Sequence, residues 1–97
     1  MPTTVHVLAR FVAKAGKEEA LKSALSAAVA PSRRELGCYQ YDLMVSATEP
    51  REYCFLERWE GTAALEQHLE TPHAKKLLAD VENLVESPPD IRRFRLA

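Results

Sequence analysis

The sequence contains no CxxC pair and no Cys/His group at the spacing of a structural zinc site. Its two cysteines, Cys38 and Cys54, are expected on neighbouring strands as reduced thiols. The three histidines, His6, His68 and His73, form no recognisable ligand set, because His68 and His73 stand five apart with Pro72 between them. No metal is therefore expected. Apolar runs of about 18 residues are also missing, which excludes a membrane-spanning helix. The opening MPTTVHVLARF lacks the basic segment and long apolar stretch of a secretory leader, so a cytoplasmic location is the expectation. Nor is there an excess of either charge: 13 Lys+Arg against 14 Asp+Glu leave a formal net charge of -1, which provides no field to attract nucleic acid. Internal repeats and low-complexity tracts are absent.

What is present is an ordinary globule. The 97 residues, 46 % hydrophobic and 28 % charged, make one domain over 1–97. A chain of this size buries roughly two thirds of its unfolded surface and folds without staples. Residues 4 to 13 alternate as a strand with apolar side chains on both faces. Glu18 and Glu19 then open a helix whose stripe is Leu21, Ala24, Leu25, Ala28 and Val29. Pro31 is expected to bend it before Ser32 to Leu36.

Gly37 stops that helix and releases a strand, Cys38 to Val45, with Tyr39, Tyr41, Leu43 and Val45 on one face. The polar SATEPRE segment turns the chain into Tyr53 to Trp59. Thr62 reads as a helix N-cap, and Thr71 with Pro72 as a second cap that restarts the helix in a new direction. Ala74, Leu77, Leu78 and Val81 continue an amphipathic stretch, and Asp90 to Leu96 is a final strand. The order β-α-β-β-α-β predicts an α+β, ferredoxin-like antiparallel sheet with its helices on one face. The other face also carries apolar residues, so it needs a second cover, and another copy of the same sheet in a homodimer supplies one.

His68 is the residue most in need of explanation. Helical spacing puts it on the stripe of Ala64, Leu65 and Leu69, facing strands that carry Tyr53, Phe55 and Trp59. An ionisable ring against an aromatic wall predicts a pocket; the rival reading is a hydrogen-bonded core histidine.

Four segments in order, ARFVAKAGKEE, SRRELGCYQYDL, ERWEGTAALEQHL and a Pro-His helix start, resemble the antibiotic biosynthesis monooxygenase domains, in particular the small bacterial quinol monooxygenase type. The resemblance spans nearly the whole chain. It implies a dimeric α+β barrel, a cleft between sheet and helices in each protomer, and oxidation of quinols, phenols or anthrones by molecular oxygen with no metal, flavin or haem. The family pattern falls on Gly37, Tyr41, Glu57, Trp59 and His68.

In that chemistry the substrate supplies the electrons and the protein makes and holds its anion. His68 is the candidate base, since an imidazole, with a free pKa of about 6.5, accepts a phenolic proton at cellular pH. Tyr41 or Trp59 would position the ring or stabilise the oxyanion. Glu57 would orient His68, or else pair with an arginine across the dimer interface. Tyr39, Tyr53, Phe55 and Trp59 are candidate substrate contacts, with plain coverage of the sheet as the rival for each. Arg92, Arg93 and Arg95 would either bind an anionic substrate group or guard a solvated edge. Haem-degrading relatives rely on an asparagine in the first strand and a tryptophan on the later helix. Ala9 and His68 stand at the comparable positions, so haem degradation is not expected. Two other readings are a non-oxidative isomerase using His68 as proton shuttle, favoured by arginines aimed into the cleft, and a non-catalytic ligand-binding dimer, favoured if His68 reaches no open cavity. A Pro2 amine acting as in the tautomerases is a further, poorly matched, reading.

Overall fold

The computed structural model describes residues 3–97; Pro2 lies outside the described residues. The elements are β1 (Val5–Val12), α1 (Glu18–Ala27), α2 (Val29–Arg33), β2 (Cys38–Val45), β3 (Glu52–Trp59), α3 (Thr62–Leu69), α4 (Pro72–Val81) and β4 (Asp90–Phe94). All strand pairs are antiparallel, in the order β2-β3-β1-β4. This is the expected ferredoxin-like α+β fold. Among the described residues, no helix is long and apolar enough to cross a membrane.

Period-two alternation forms the central strands. Val7, Ala9 and Phe11 of β1 and Tyr53, Phe55, Glu57 and Trp59 of β3 are buried on one face. Onto that face pack the helical stripes: Leu21 and Leu25 of α1, Leu65 of α3, and Leu77 and Val81 of α4, spaced by three or four residues. The opposite face keeps its apolar side chains in view: Leu8, Met44 and Phe94 are 39 %, 42 % and 48 % exposed.

The first helical stretch breaks at Ala28, upstream of the expected bend. A proline ring conflicts with the carbonyl four residues earlier, here that of Ala27, so the interruption falls before Pro31 rather than after it. The Ala28 N–H turns to Leu25 O at 3.2 Å, and α2 then carries Pro31 within its first turn. Thr71 caps α4 as its sequence foretells, its Oγ1 accepting from Ala74 N at 3.2 Å. Thr62 does not cap α3; Gly61 holds that position and Thr62 is the first helical residue.

A bulge interrupts β2. Cys38 pairs with Trp59 and Gln40 with the adjacent Arg58, leaving Tyr39 as the extra residue. Tyr39 is therefore removed from the face of Tyr41 and Leu43; it is 53 % exposed, with the Arg58 guanidinium 5.9 Å from its ring centre. Just before the bulge, Gly37 has φ +85°, and its carbonyl accepts from Glu60 N at 2.8 Å. A Cβ there would stand 2.8 Å from the Ala64 Cβ of α3.

Gly16 has nearly the same φ, +83°, with nothing within 4 Å of a built Cβ. Gly16→Ala should thus lose about 1 kcal/mol from backbone strain alone, and Gly37→Ala about 3 kcal/mol or more from strain plus overpacking. Urea unfolding midpoints of the two variants test this; equal losses would mean that α3 gives way freely at Ala64.

Candidate active site

The last turn of α3 brings a polar group into the core. Leu65 and His68, one turn apart, are the buried residues of this helix. The imidazole stacks on Trp59 with ring centres 4.5 Å apart at 33°, and meets Tyr41 edge-on at 5.5 Å. Its Nδ1 lies 2.6 Å from Glu35 Oε2. His73, one residue past the proline that opens α4, sets its Nε2 2.6 Å from the same oxygen. A carboxylate accepts and does not donate, so each facing ring nitrogen carries a proton. In a neutral His68 ring the lone pair is then on Nε2, which makes no hydrogen bond among the described residues. His68 lines a cavity of about 80 Å³ between sheet and helices.

The cavity walls are apolar: Val7, Ala9, Phe11 and Phe55 from the sheet, Leu65 and Leu77 from the helices. Tyr41, Glu57 and His68 are the polar groups set into them. No helix covers β4, and the cavity opens on that side between Leu78 and Ile91, which are 44 % and 52 % exposed. Arg93 stands at this mouth with its Nη1 donating to Glu66 at 2.9 Å. Arg92 lies on the other face of β4 and pairs with Asp90, and Arg95 is exposed beyond the strand.

Glu57 faces inward from β3, and its Oε1 accepts from Trp59 Nε1 at 2.9 Å. Burial raises its pKa from the ordinary 4.5 to about 7; the indole N–H opposes that rise and the charge of Glu35 adds to it. Burial, followed by the nearby charge of Glu57, also holds the Tyr41 phenol well above its usual pKa. The fully buried Ser32 hydroxyl eases the Tyr41 shift but makes no hydrogen bond of good geometry.

The residues singled out in the sequence thus divide. His68, Glu57, Tyr41 and Phe55 line the cavity together. Trp59 does not; its ring backs His68 and its N–H is committed to Glu57. Tyr53 is buried nearer α1, its hydroxyl donating to Glu18 O at 3.5 Å, and Tyr39 is outside because of the bulge. The orienting partner of His68 is Glu35, not Glu57. Glu57 has no arginine partner among the described residues, and it lies on the helix side of the sheet, away from the face open to a second copy.

The histidines also converge more than their spacing indicated, since His68 and His73 meet on one oxygen. Glu35 was signalled only by its location: a carboxylate just after a helix C-terminus opposes the helix dipole and needs a local reason to be there. His73 carried no signal beyond its neighbouring Pro72.

Residues 4–80 match the model of the family described as antibiotic biosynthesis monooxygenase. The chain is 36 % identical to "Putative monooxygenase Rv0793" of Mycobacterium tuberculosis over 91 % of its own length and 86 % of that protein's. It is 34 % identical to "Putative monooxygenase YcnE" of Bacillus subtilis, covering 87 % and 88 % of the two chains. Among solved structures, PA3566 from Pseudomonas aeruginosa is similar with a TM-score of 0.93 at 35 % identity, covering 100 % of this chain and 97 % of that one.

Because Glu57 binds its proton more tightly folded than unfolded, it stabilises the fold at low pH. That contribution is lost as pH rises from about 4.5 to about 7. Glu57→Gln, which keeps an acceptor for the Trp59 N–H, should remove this slope and make the variant more stable than wild type above pH 7, by on the order of 3 kcal/mol. Urea titrations of both proteins across this range measure it; parallel curves would show that Glu57 titrates normally.

Proposed function

The chain belongs to the antibiotic biosynthesis monooxygenase family, and we propose that it oxidises a small electron-rich aromatic, a quinol, phenol or anthrone, with molecular oxygen and no cofactor. The observation that carries this reading is the Glu35–His68 hydrogen bond, which in a neutral imidazole puts the lone pair on Nε2 of a residue that lines an apolar cavity. At about 80 Å³ the cavity is smaller than the roughly 150 Å³ that encloses a benzene ring, so a single-ring substrate would extend into its open mouth and a tricyclic anthrone much further.

Oxygen is a triplet and reacts slowly with closed-shell molecules, so the protein has to make the substrate electron-rich. His68 Nε2 takes the hydroxyl proton, and Glu35 stabilises the imidazolium that forms, as the carboxylate does in a triad. The protonated carboxyl of Glu57, favoured below pH 7 by burial, donates a hydrogen bond to the developing oxyanion. Phe55 and the Tyr41 ring hold the substrate plane, and Trp59 fixes the imidazole from behind. The anion passes one electron to oxygen; the radical pair combines to a peroxide. His68 returns its proton to the peroxide. The carbon that bears the resulting hydroperoxide then loses its hydrogen as a proton, the C–H electron pair forms the C=O bond as the O–O bond breaks, and the outer OH leaves with that proton as water, giving a quinone. The isomerase reading gains nothing from Arg93, whose charge is engaged by Glu66 at the rim.

We propose further that the protein is a homodimer through the exposed sheet face, where Leu8, Met44 and Phe94 need cover.

With metal-free protein and a panel of hydroquinones, wild type should consume oxygen above the uncatalysed rate. His68→Gln, matched for folding, should lower that rate by about tenfold or more; absence of uptake by wild type sinks the oxygenase reading. Separately, sedimentation should give a dimer for wild type and a monomer for Leu8→Arg. A monomeric wild type would refute the sheet-face interface.

A further inference from the structure

Glu35, His68 and His73 bring three ligating atoms within 4.8 Å of one another, and we propose that they form a divalent transition-metal site of the zinc type, set behind the imidazole rather than in the cavity. Two imidazole nitrogens and one carboxylate oxygen are the donor set that zinc takes with a fourth position left open. All three side chains are well enclosed, with exposures of 6 %, 14 % and 25 % for His68, Glu35 and His73. The site also has a way in. His73 lines a groove between α1 and α4, together with Lys76 and Asp80.

The fit requires only local movement. Each nitrogen now lies 2.6 Å from Glu35 Oε2, whereas ligand atoms around a tetrahedral zinc with bonds of about 2.0–2.1 Å stand roughly 3.3 Å apart. Glu35 is in the turn that follows α2 rather than within a helix, and the three ligating atoms, now within 4.8 Å of one another, would also have to draw in to that spacing.

The metal and the base use opposite edges of one ring. A metal at Nδ1 takes the place of the proton now shared with Glu35, and a neutral imidazole ligated there carries its proton on Nε2. His68 would then present an N–H to the cavity in place of a lone pair. Metal binding and proton abstraction by His68 are therefore mutually exclusive; this consequence rests on the function proposed above, while the binding site does not. The metal, on the far edge of the ring, does not touch a substrate in the cavity.

The test is a Zn²⁺ titration of chelator-stripped, full-length protein in competition with a chromophoric chelator. One equivalent should bind, and His73→Gln and Glu35→Gln should each weaken it by about a hundredfold, the share of one ligand in a zinc site. His6→Gln, on the outer sheet face, should have no effect. Imidazole ¹⁵N spectra of the wild type need no variant: Zn²⁺ should move His68 from the Nδ1–H to the Nε2–H tautomer.

Absence of stoichiometric binding, undiminished binding by His73→Gln, or an unmoved His68 tautomer each overturns the proposal. Zinc bound by a protein that never consumes oxygen would leave the site standing and remove the oxygenase reading. Uptake that Zn²⁺ suppresses in wild type but not in His73→Gln would support both.

Discussion

One carboxylate oxygen, Glu35 Oε2, accepts hydrogen bonds from two histidines, and the arrangement of the site depends on it. It ties the turn after α2 to the last turn of α3 and the first turn of α4. A carboxylate this enclosed would be costly without partners. Two ring N–H donors supply the compensation, and in doing so they determine which nitrogen of His68 is free. Aim and tautomer of the imidazole follow from the same contact.

The second constraint works against folding. Glu57 sits where a hydrophobic residue would pack best, between Phe55 and Trp59 on the buried face of β3. Its single hydrogen bond, from the Trp59 indole, leaves the other oxygen turned towards an apolar cavity. Buried groups that lower stability in this way are expected at sites that perform chemistry, where local rules of good packing are set aside. His68 and Glu57 thus form a contrast: one is held by a partnered charge, the other is pushed towards neutrality by its surroundings. Environments that separate two proton-handling groups in this manner are what acid–base chemistry requires.

Most of the fold was legible because it is periodic. Alternation located β1 and β3, three-and-four spacing located the buried faces of α1, α3 and α4, and the Thr71–Pro72 pair marked the start of α4 correctly. Three of the features that escaped did so for separate reasons. Alternation does not announce an extra residue, so the bulge that expels Tyr39 is invisible until the strands are paired. Proline acts backwards through the carbonyl four residues before it, so the break falls at Ala28. The partner of His68 lies 33 residues away in sequence, and no local pattern connects Glu35 to it; the nearer and better-patterned Glu57 was the natural but mistaken choice. Of the site, then, the histidine and its aromatic surroundings could be read, while the contacts that tune it are tertiary.

Trp59 is the one tryptophan in the chain, and it is also the ring stacked at 4.5 Å on His68 and bonded to Glu57. Light absorbed in the indole band therefore reports from a single place in the molecule, in van der Waals contact with both proton-handling groups. Any event at the imidazole or the carboxyl changes the surroundings of the one indole, which excitation at the red edge of its band separates from the three tyrosines. The packing that steadies the site thereby makes it its own optical indicator.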